Sequence, residues 1–243
     1  MTNEKYGLIG KTLVHSYSKE IPEALGRYQY QLFSLAEDEM PDFINARDFR
    51  GLNVTIPYKK DVIPLCDEVT DLARGIGAVN TLFWKNASGT GASESISQED
   101  KILVGHNTDY EGFLYAASRA GIDFEGKGVL ILGTGGTSLM ARRAAADQNA
   151  AKIYIASRHP ETDPPSGSEI QDAGILSTVS YDQLPEIADS IDVIVNTTPV
   201  GMFPNMDASP LDLTPFKACE AVLDENGGAK TENGAYLYRK DRI

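Results

Sequence analysis

The sequence predicts an α/β protein with two α/β domains, of which the second is a Rossmann-like domain with a parallel sheet. Short apolar strands alternate with helical stretches along most of the chain, which is typical of parallel sheets joined by right-handed crossovers. A buried strand, a glycine turn and the start of a helix follow one another directly over residues 129–138. The length of 243 residues suits one large domain or two modest ones.

The first half of the chain alternates strands and helices up to a motif that ends at Asp109. We predict strands over 5–9, 28–35 and 51–56, a short helical stretch through Leu25, and helices over 37–46 and 58–65. Two further strands, 78–84 and 102–106, are predicted to pair as a hairpin around a polar loop. These elements form the first predicted domain, residues 1–109.

The second half begins with an amphipathic helix over 110–120, which Gly121 ends. Predicted strands follow at 129–132, 152–156, within 190–196, and at 221–224, with a helix over 138–148. Because strands and helices alternate here too, residues 110–224 are predicted to form the second domain.

Composition excludes several classes of partner. The formal charge of −13 and pI of about 4.6 disfavour nucleic acid and anionic membranes. Two distant cysteines and three histidines without ligand spacing predict neither a disulfide framework nor a metal site. With no apolar run of about 20 residues and no secretory start, the sequence predicts a cytoplasmic protein.

The glycine turn carries the strongest chemical prediction. Gly133 permits a tight turn, Gly135 lets the backbone approach a pyrophosphate, and the helix behind them presents N–H groups to an anion. Ser138 holds the position of the third glycine in the usual pattern, so the match is imperfect. Because a buried strand precedes the turn and another strand follows at the right distance, we expect Gly133, Thr134, Gly135, Gly136 and Thr137 to bind a dinucleotide.

The end of the second strand of this domain selects the dinucleotide. An acidic residue there would favour NAD by accepting from the ribose 2′-hydroxyl. This strand ends instead in Ser157 and Arg158, which suit a 2′-phosphate. The sequence therefore predicts NADP as the cofactor.

A polar loop follows the strand within 190–196, at the sheet edge where open parallel sheets bind ligands. We assign cofactor contacts to its residues Thr197, Thr198, Pro199, Gly201 and Met202. On local sequence alone, a simple turn explains this loop equally well.

The expected acid and base lie around the end of the first half. Lys59 follows a strand, and Asp109 ends the motif 105–109. An ammonium group can protonate a ketone oxygen as hydride arrives, while a carboxylate holds the lysine in place. Taken singly, a surface lysine and a helix-capping aspartate are the simpler interpretations, and the neighbouring Lys60 shows this ambiguity.

Six segments in the same order resemble the shikimate dehydrogenase family; they are 15–18, 51–59, 77–81, 105–109, 133–136 and 196–202. The resemblance implies reversible NADP-dependent reduction of 3-dehydroshikimate to shikimate, in aromatic amino acid biosynthesis. It implies that Ser16 and Ser18 bind the substrate carboxylate and that Thr55, Asn80 and Asp109 bind ring hydroxyls. Lys59 is then the acid/base, with Asp109 beside it.

The C-terminal part departs from this pattern. After Asp224 roughly one loop and helix of the family are missing, although the tail, 225–243, is still expected to pack on the first domain. Two alternatives stay open beside an active shikimate dehydrogenase: a quinate/shikimate dehydrogenase of broader specificity, and a catalytically impaired ligand-binding relative, which the shortened tail favours. The expected assembly is a monomer or a homodimer.

Overall fold

The computed structural model describes residues 5–13, 19–26, 29–86, 101–162, 174–201, 208–224 and 237–239. The chain forms two compact units, Met1–Thr108 and Asp109–Ile243, and each unit has its own sheet. None of the helices in the described ranges is long and apolar enough to cross a membrane. The predicted α/β class, with two parallel-rich sheets, is confirmed.

The first unit is a mixed sheet with short helices. Its elements are β1 Tyr6–Gly10, α1 Glu20–Leu25, β2 Tyr30–Ser34, α2 Glu39–Asn45, β3 Gly51–Val54, a 3₁₀ turn Ile63–Leu65, β4 Glu68–Val69, α3 Asp71–Ile76, β5 Thr81–Asn86 and β6 Lys101–His106. The strand order is β2-β1-β3-β5-β6-β4. β1 runs parallel to β2 and β3, whereas β5 is antiparallel to both β3 and β6. The predicted hairpin is therefore confirmed.

The two faces of β3 have different roles. Leu52 and Val54 are buried in an apolar core together with Ile9 of β1 and Leu82 of β5. Because side chains alternate along a strand, Asn53 points to the opposite face, where Thr81 is its cross-strand partner. This second face carries Asn53 and Thr81 beside a smaller apolar cluster of Leu8, Leu13 and Tyr30. We call it the polar face, because hydrogen-bonding side chains lie on it, whereas the other face is apolar.

The second unit is built on a parallel sheet. Its elements are α4 Asp109–Arg119, β7 Gly128–Leu132, α5 Gly136–Asp147, β8 Lys152–Ser157, β9 Leu176–Ser180, a 3₁₀ turn Tyr181–Gln183, α6 Leu184–Ile187, a 3₁₀ turn Ala188–Ser190, β10 Val193–Asn196, β11 Ala221–Asp224 and β12 Leu237–Arg239. The strand order is β12-β11-β10-β7-β8-β9. Only the pairing of β12 with β11 is antiparallel among these described strands. The part of the tail at Leu237–Arg239, which the resemblance assigned to the first domain, pairs with this second sheet.

The predicted helix over 58–65 is wrong. These residues form turns and the short 3₁₀ segment Ile63–Leu65. Pro64 has no N–H to donate to the Lys60 carbonyl, which accepts from the Ile63 N–H at 3.2 Å instead. The tighter bonding pattern ends regular helix at this point.

The glycine turn between β7 and α5 is confined by its neighbours. Gly133 has φ = +101°, a left-handed conformation that is strained for residues with a side chain. A Cβ added there would lie 3.1 Å from Thr198 Cγ2 and 3.3 Å from Thr197 Oγ1. Both the backbone conformation and the close approach therefore require glycine.

We predict that Gly133→Ala lowers the free energy of unfolding by about 1–3 kcal/mol, through backbone strain and crowding. The matched control is Gly112→Ala in α4, where an added Cβ meets nothing within 4 Å. Alanine in a helix interior should raise stability by roughly 0.5–1 kcal/mol relative to glycine. Urea denaturation measures the free energy of unfolding of both variants, which should change in opposite directions. A Gly133→Ala protein as stable as the wild type would contradict the prediction.

Candidate active site

The second unit presents backbone donors at the carboxyl end of β7. Gly135 is the N-cap of α5, with φ −74° and ψ −174°, and a Cβ added to it would meet nothing within 4 Å. The backbone at Gly135 thus faces open space at the first turn of a helix, which is the arrangement that receives a phosphate group. Ser138, at the third glycine position, is fully buried and accepts a hydrogen bond from Arg142 Nε at 3.1 Å. Ser138 therefore serves the packing of α5.

The loop after β10 lies directly against this turn. Thr197 donates both its backbone N–H, at 3.1 Å, and its hydroxyl, at 2.6 Å, to the carbonyl of Leu132. Thr197 and Thr198 are the residues that approach Gly133. The structure thus brings together two of the predicted groups of cofactor residues, on neighbouring parallel strands.

The end of β8 holds the residues expected to choose the dinucleotide. Ser157 is buried, and its hydroxyl oxygen accepts from the His159 N–H at 2.9 Å. Arg158 is exposed. Tyr181 follows Ser180, the strand partner of Ser157; burial raises the pKa of Tyr181, and the positive charge of Arg158 partly offsets that rise. The Ser157 hydroxyl thus holds the backbone at the end of β8, and the side chain of Arg158 is exposed beside it.

In the first unit, a chain of hydrogen bonds crosses the polar face of the sheet. The Tyr30 hydroxyl donates to Asn53 Oδ1 at 2.7 Å, and Asn53 Nδ2 donates to Thr81 Oγ1 at 3.3 Å. Thr81 Oγ1 in turn donates to Asn80 Oδ1 at 3.0 Å. These four residues form what we call the amide chain. These bonds fix the orientation of each amide group, so that its oxygen and its nitrogen each point to a defined side.

Several hydrogen bonds constrain Asn80, one of the predicted substrate residues. Its side chain is almost fully buried, and its Oδ1 also accepts from the Thr108 N–H at 2.9 Å. Nδ2 donates to Thr108 Oγ1 at 3.1 Å. Asn80 therefore holds the segment that leads to Asp109.

Thr55 and Lys59 sit around a turn after β3. The Thr55 N–H donates to the Ile9 carbonyl at 2.9 Å, and the Lys59 carbonyl accepts from the Val79 N–H at 2.7 Å. Lys59 is half-buried, whereas Lys60 is exposed. This difference in burial favours Lys59 over Lys60 as the lysine with a chemical role.

Asp109 is the first residue of α4, in the second unit. Its neighbour Tyr110 donates to Asp147 Oδ2 at 2.8 Å, and Arg143 Nε donates to the same carboxylate at 2.8 and 2.9 Å. Burial, followed by this hydrogen bond, raises the pKa of Tyr110 to about 12. The beginning of α4 is thus fastened to the end of α5.

Some predicted residues lie outside the described ranges, and some structural partners had no prediction. Ser16, Ser18 and Met202 are in the first group. Asn53, Thr81 and Thr108 are in the second group. The available indication of a role was that they are polar residues near strand ends. Their hydrogen-bond partners belong to other segments of the chain, and only the strand register brings those segments together.

Comparisons with known proteins show which family this chain resembles. The family model described as shikimate dehydrogenase substrate binding domain matches residues 8–82. The shikimate dehydrogenase (NADP(+)) of Caldicellulosiruptor bescii is 32% identical over 95% of this chain and 84% of its own length.

Two solved structures extend the similarity to the fold. Shikimate dehydrogenase 1 of Peptoclostridium difficile shares 30% identity, with a TM-score of 0.74 over 91% of this chain and 77% of that chain. The Thermus thermophilus shikimate 5-dehydrogenase, in complex with NADP(H) and shikimate, shares 27% identity, with a TM-score of 0.70 over 91% of this chain and 78% of that chain. This chain belongs to the shikimate dehydrogenase family.

Proposed function

We propose that this chain catalyses the reversible NADP-dependent reduction of 3-dehydroshikimate to shikimate. The observation that carries the proposal is the 32% identity with a shikimate dehydrogenase (NADP(+)) across 95% of this chain. The glycine turn with its open approach at Gly135, and the polar face of the first sheet, supply suitable chemistry for the two ligands. The corresponding test is oxidation of NADPH in the presence of 3-dehydroshikimate.

We propose a separate ligand for each domain. Residues 1–109, which are the first unit together with Asp109, form the substrate domain, and the match at residues 8–82 supports this. Residues 110–224 form the NADP domain. A formal charge of −13 favours such small-molecule ligands over nucleic acid or an anionic membrane. A cytoplasmic location and a monomeric or homodimeric state complete the proposal.

On the substrate side, neutral polar groups and one carboxylate recognise a hydroxylated ring. Thr55, Asn80 and Asp109 bind ring hydroxyls in this proposal, and the serines Ser16 and Ser18 bind the carboxylate. An amide both donates and accepts, so the orientation that Thr81 and Thr108 impose on Asn80 decides which it offers. A ring that lacks one hydroxyl would leave such a buried group unpaired, which is how polar sites reject analogues.

The proposed chemistry assigns proton transfer to Lys59. When bound, NADPH supplies the hydride that reduces the ketone. Lys59, as an ammonium group, gives a proton to the ketone oxygen, and in the reverse direction takes the hydroxyl proton. Asp109 orients that ammonium group and binds the adjacent hydroxyl.

On the cofactor side, the backbone N–H groups behind Gly135 bind the pyrophosphate, and Arg158 binds the 2′-phosphate. Thr134, Gly136 and Thr137 complete the first turn. The nicotinamide ribose is proposed to contact Thr197, Thr198, Pro199, Gly201 and Met202. The exposed guanidinium of Arg158 and the lack of a carboxylate at Ser157 support NADP over NAD.

We predict that Lys59→Ala lowers kcat by roughly 10²–10⁴-fold, the usual contribution of a general acid, with a smaller change in KM. The matched control is Lys60→Ala, which removes an exposed ammonium next along the chain and should keep the wild-type kcat. Steady-state NADPH oxidation with 3-dehydroshikimate measures both. Unchanged kcat in Lys59→Ala would contradict its role, and quinate oxidation at a comparable kcat/KM would favour the broader-specificity enzyme.

Arg158→Gln should raise KM for NADPH by roughly 10- to 100-fold, because a charge-assisted bond to phosphate contributes about 1.5–3 kcal/mol. NADH lacks the 2′-phosphate and serves as the internal control. The kcat/KM of Arg158→Gln for NADH should stay within about twofold of the wild-type value. A wild-type preference for NADH, or equal losses with both dinucleotides, would contradict the assignment of Arg158.

Tyr30→Phe tests the amide chain by removing one hydroxyl. Without the bond from Tyr30, Asn53 can reverse its amide, so KM for 3-dehydroshikimate should rise several-fold while KM for NADPH stays constant. The control is Tyr58→Phe, since Tyr58 is also buried and donates to the Leu35 carbonyl at 2.5 Å. Both variants should lose about 0.5–1.5 kcal/mol of stability, and a substrate KM that rises equally in both would contradict a specific role for Tyr30.

A further inference from the structure

Asn196 is a buried amide at the carboxyl end of the central strands of the second sheet. It is the last residue of β10, and its exposed fraction is 2%. Its strand partners are Leu132 of β7 and Asp224 of β11. Buried amides persist when their donors and acceptors are satisfied, so the partners of this side chain are informative.

The Asn196 amide holds the loop that follows it from both sides. Its Oδ1 accepts from the Thr198 N–H at 3.0 Å and from the Thr198 hydroxyl at 2.7 Å. Its Nδ2 donates to the Val200 carbonyl at 3.3 Å. One side chain thus needs both an acceptor and a donor to fix this loop, a combination that a carboxylate or an apolar residue of the same size lacks.

The loop in turn confines the glycine turn. Thr197 bonds twice to the Leu132 carbonyl, and Thr198 Cγ2 lies 3.1 Å from the position that a Cβ on Gly133 would take. Two short segments therefore pack together as what we call the double loop, which consists of Leu132 to Gly133 and Thr197 to Val200. Asn196 is the residue of β10 directly before the second segment.

We propose that Asn196 is a positioning residue for the dinucleotide: it holds the double loop in its binding shape before the cofactor arrives. This inference rests on the proposed NADP-dependent function. Pre-organised loops bind more tightly because less conformational freedom is lost on binding. Loss of the Asn196 amide should therefore weaken dinucleotide affinity, with little effect on the affinity for the other substrate.

The experiment measures the Kd of NADP+ for the full chain by isothermal titration calorimetry, alongside the thermal midpoint. Asn196→Asp keeps the size and one acceptor, but its second oxygen would face the Val200 carbonyl. Asn196→Ala removes all the side-chain bonds. We expect each to raise Kd at least tenfold, and to raise KM for NADPH more than KM for 3-dehydroshikimate.

The matched control is Asn107→Asp. Asn107 is equally buried, and its Nδ2 donates to the Ala78 carbonyl at 3.0 Å, within the first unit. This variant should lower the thermal midpoint and leave the Kd of NADP+ within about twofold, because general destabilisation does not change the affinity of molecules that remain folded. An equal rise in Kd for Asn107→Asp would overturn the inference.

A second variant covers the case in which the Asn196 variants do not fold. Thr197→Val removes the hydroxyl bond to Leu132 while keeping the shape of the side chain, so it should also raise Kd several-fold. Wild-type affinity for NADP+ in Thr197→Val or in folded Asn196→Asp would overturn this inference but not the proposed function. Failure of the wild-type protein to bind NADP+ would overturn the proposed function, and this inference with it.

Discussion

The carboxyl edge of the second sheet depends on two hydrogen bonds that the Leu132 carbonyl accepts, one from the Thr197 N–H and one from the Thr197 hydroxyl. β7 and β10 are already neighbours in the sheet, but a strand ladder alone does not fix the path of the chain beyond the last residue of each strand. The two bonds hold the ends of both strands together at the point where each becomes a loop. The left-handed turn at Gly133 and the start of α5 come directly after this point.

The first unit solves a similar problem with side chains instead of a backbone turn. Its polar face carries amides and hydroxyls that are short, neutral and able to bond in more than one way. The amide chain removes this freedom, because Asn53 and Thr81 each accept from one neighbour and donate to the next. Linked groups of this kind act together, so the geometry of Asn80 depends on residues as distant along the chain as Tyr30.

How much of this could be predicted from sequence depends on how local the cause is. Strand 221–224 and the hairpin around 87–100 were predictable, because alternation and apolar runs lie within the segment itself. α3 was missed although Thr70 caps it and Gly77 ends it, since only six residues separate these signals. β9 was missed because its Leu-Ser-Thr-Val-Ser sequence is too polar for a buried strand. Among the strands that the structure describes, it pairs with β8 alone.

The site shows the same division. Gly133 could be predicted, since a left-handed turn between a strand and a helix demands a residue type. Lys59 could be named but not separated from Lys60 by sequence, because their burial depends on how the turn after β3 folds. Asn53 and Asn196 had no predicted role. The role of each comes from a partner that the tertiary structure brings within about 3 Å, and residue type alone does not specify that partner.

The acidic surface is compatible with anionic ligands because the binding groups act at short range. At physiological salt, exposed charges are screened over about 8 Å, so most of the net charge of −13 contributes little at a site that contacts its ligand directly. Backbone N–H groups near Gly135, the amide of Asn80 and the hydroxyl of Thr55 carry no net charge. In the proposal, positive side chains act at two points, Arg158 at the 2′-phosphate and Lys59 where a proton moves. The global charge therefore slows the encounter with a polyanion more than it weakens the complex once formed.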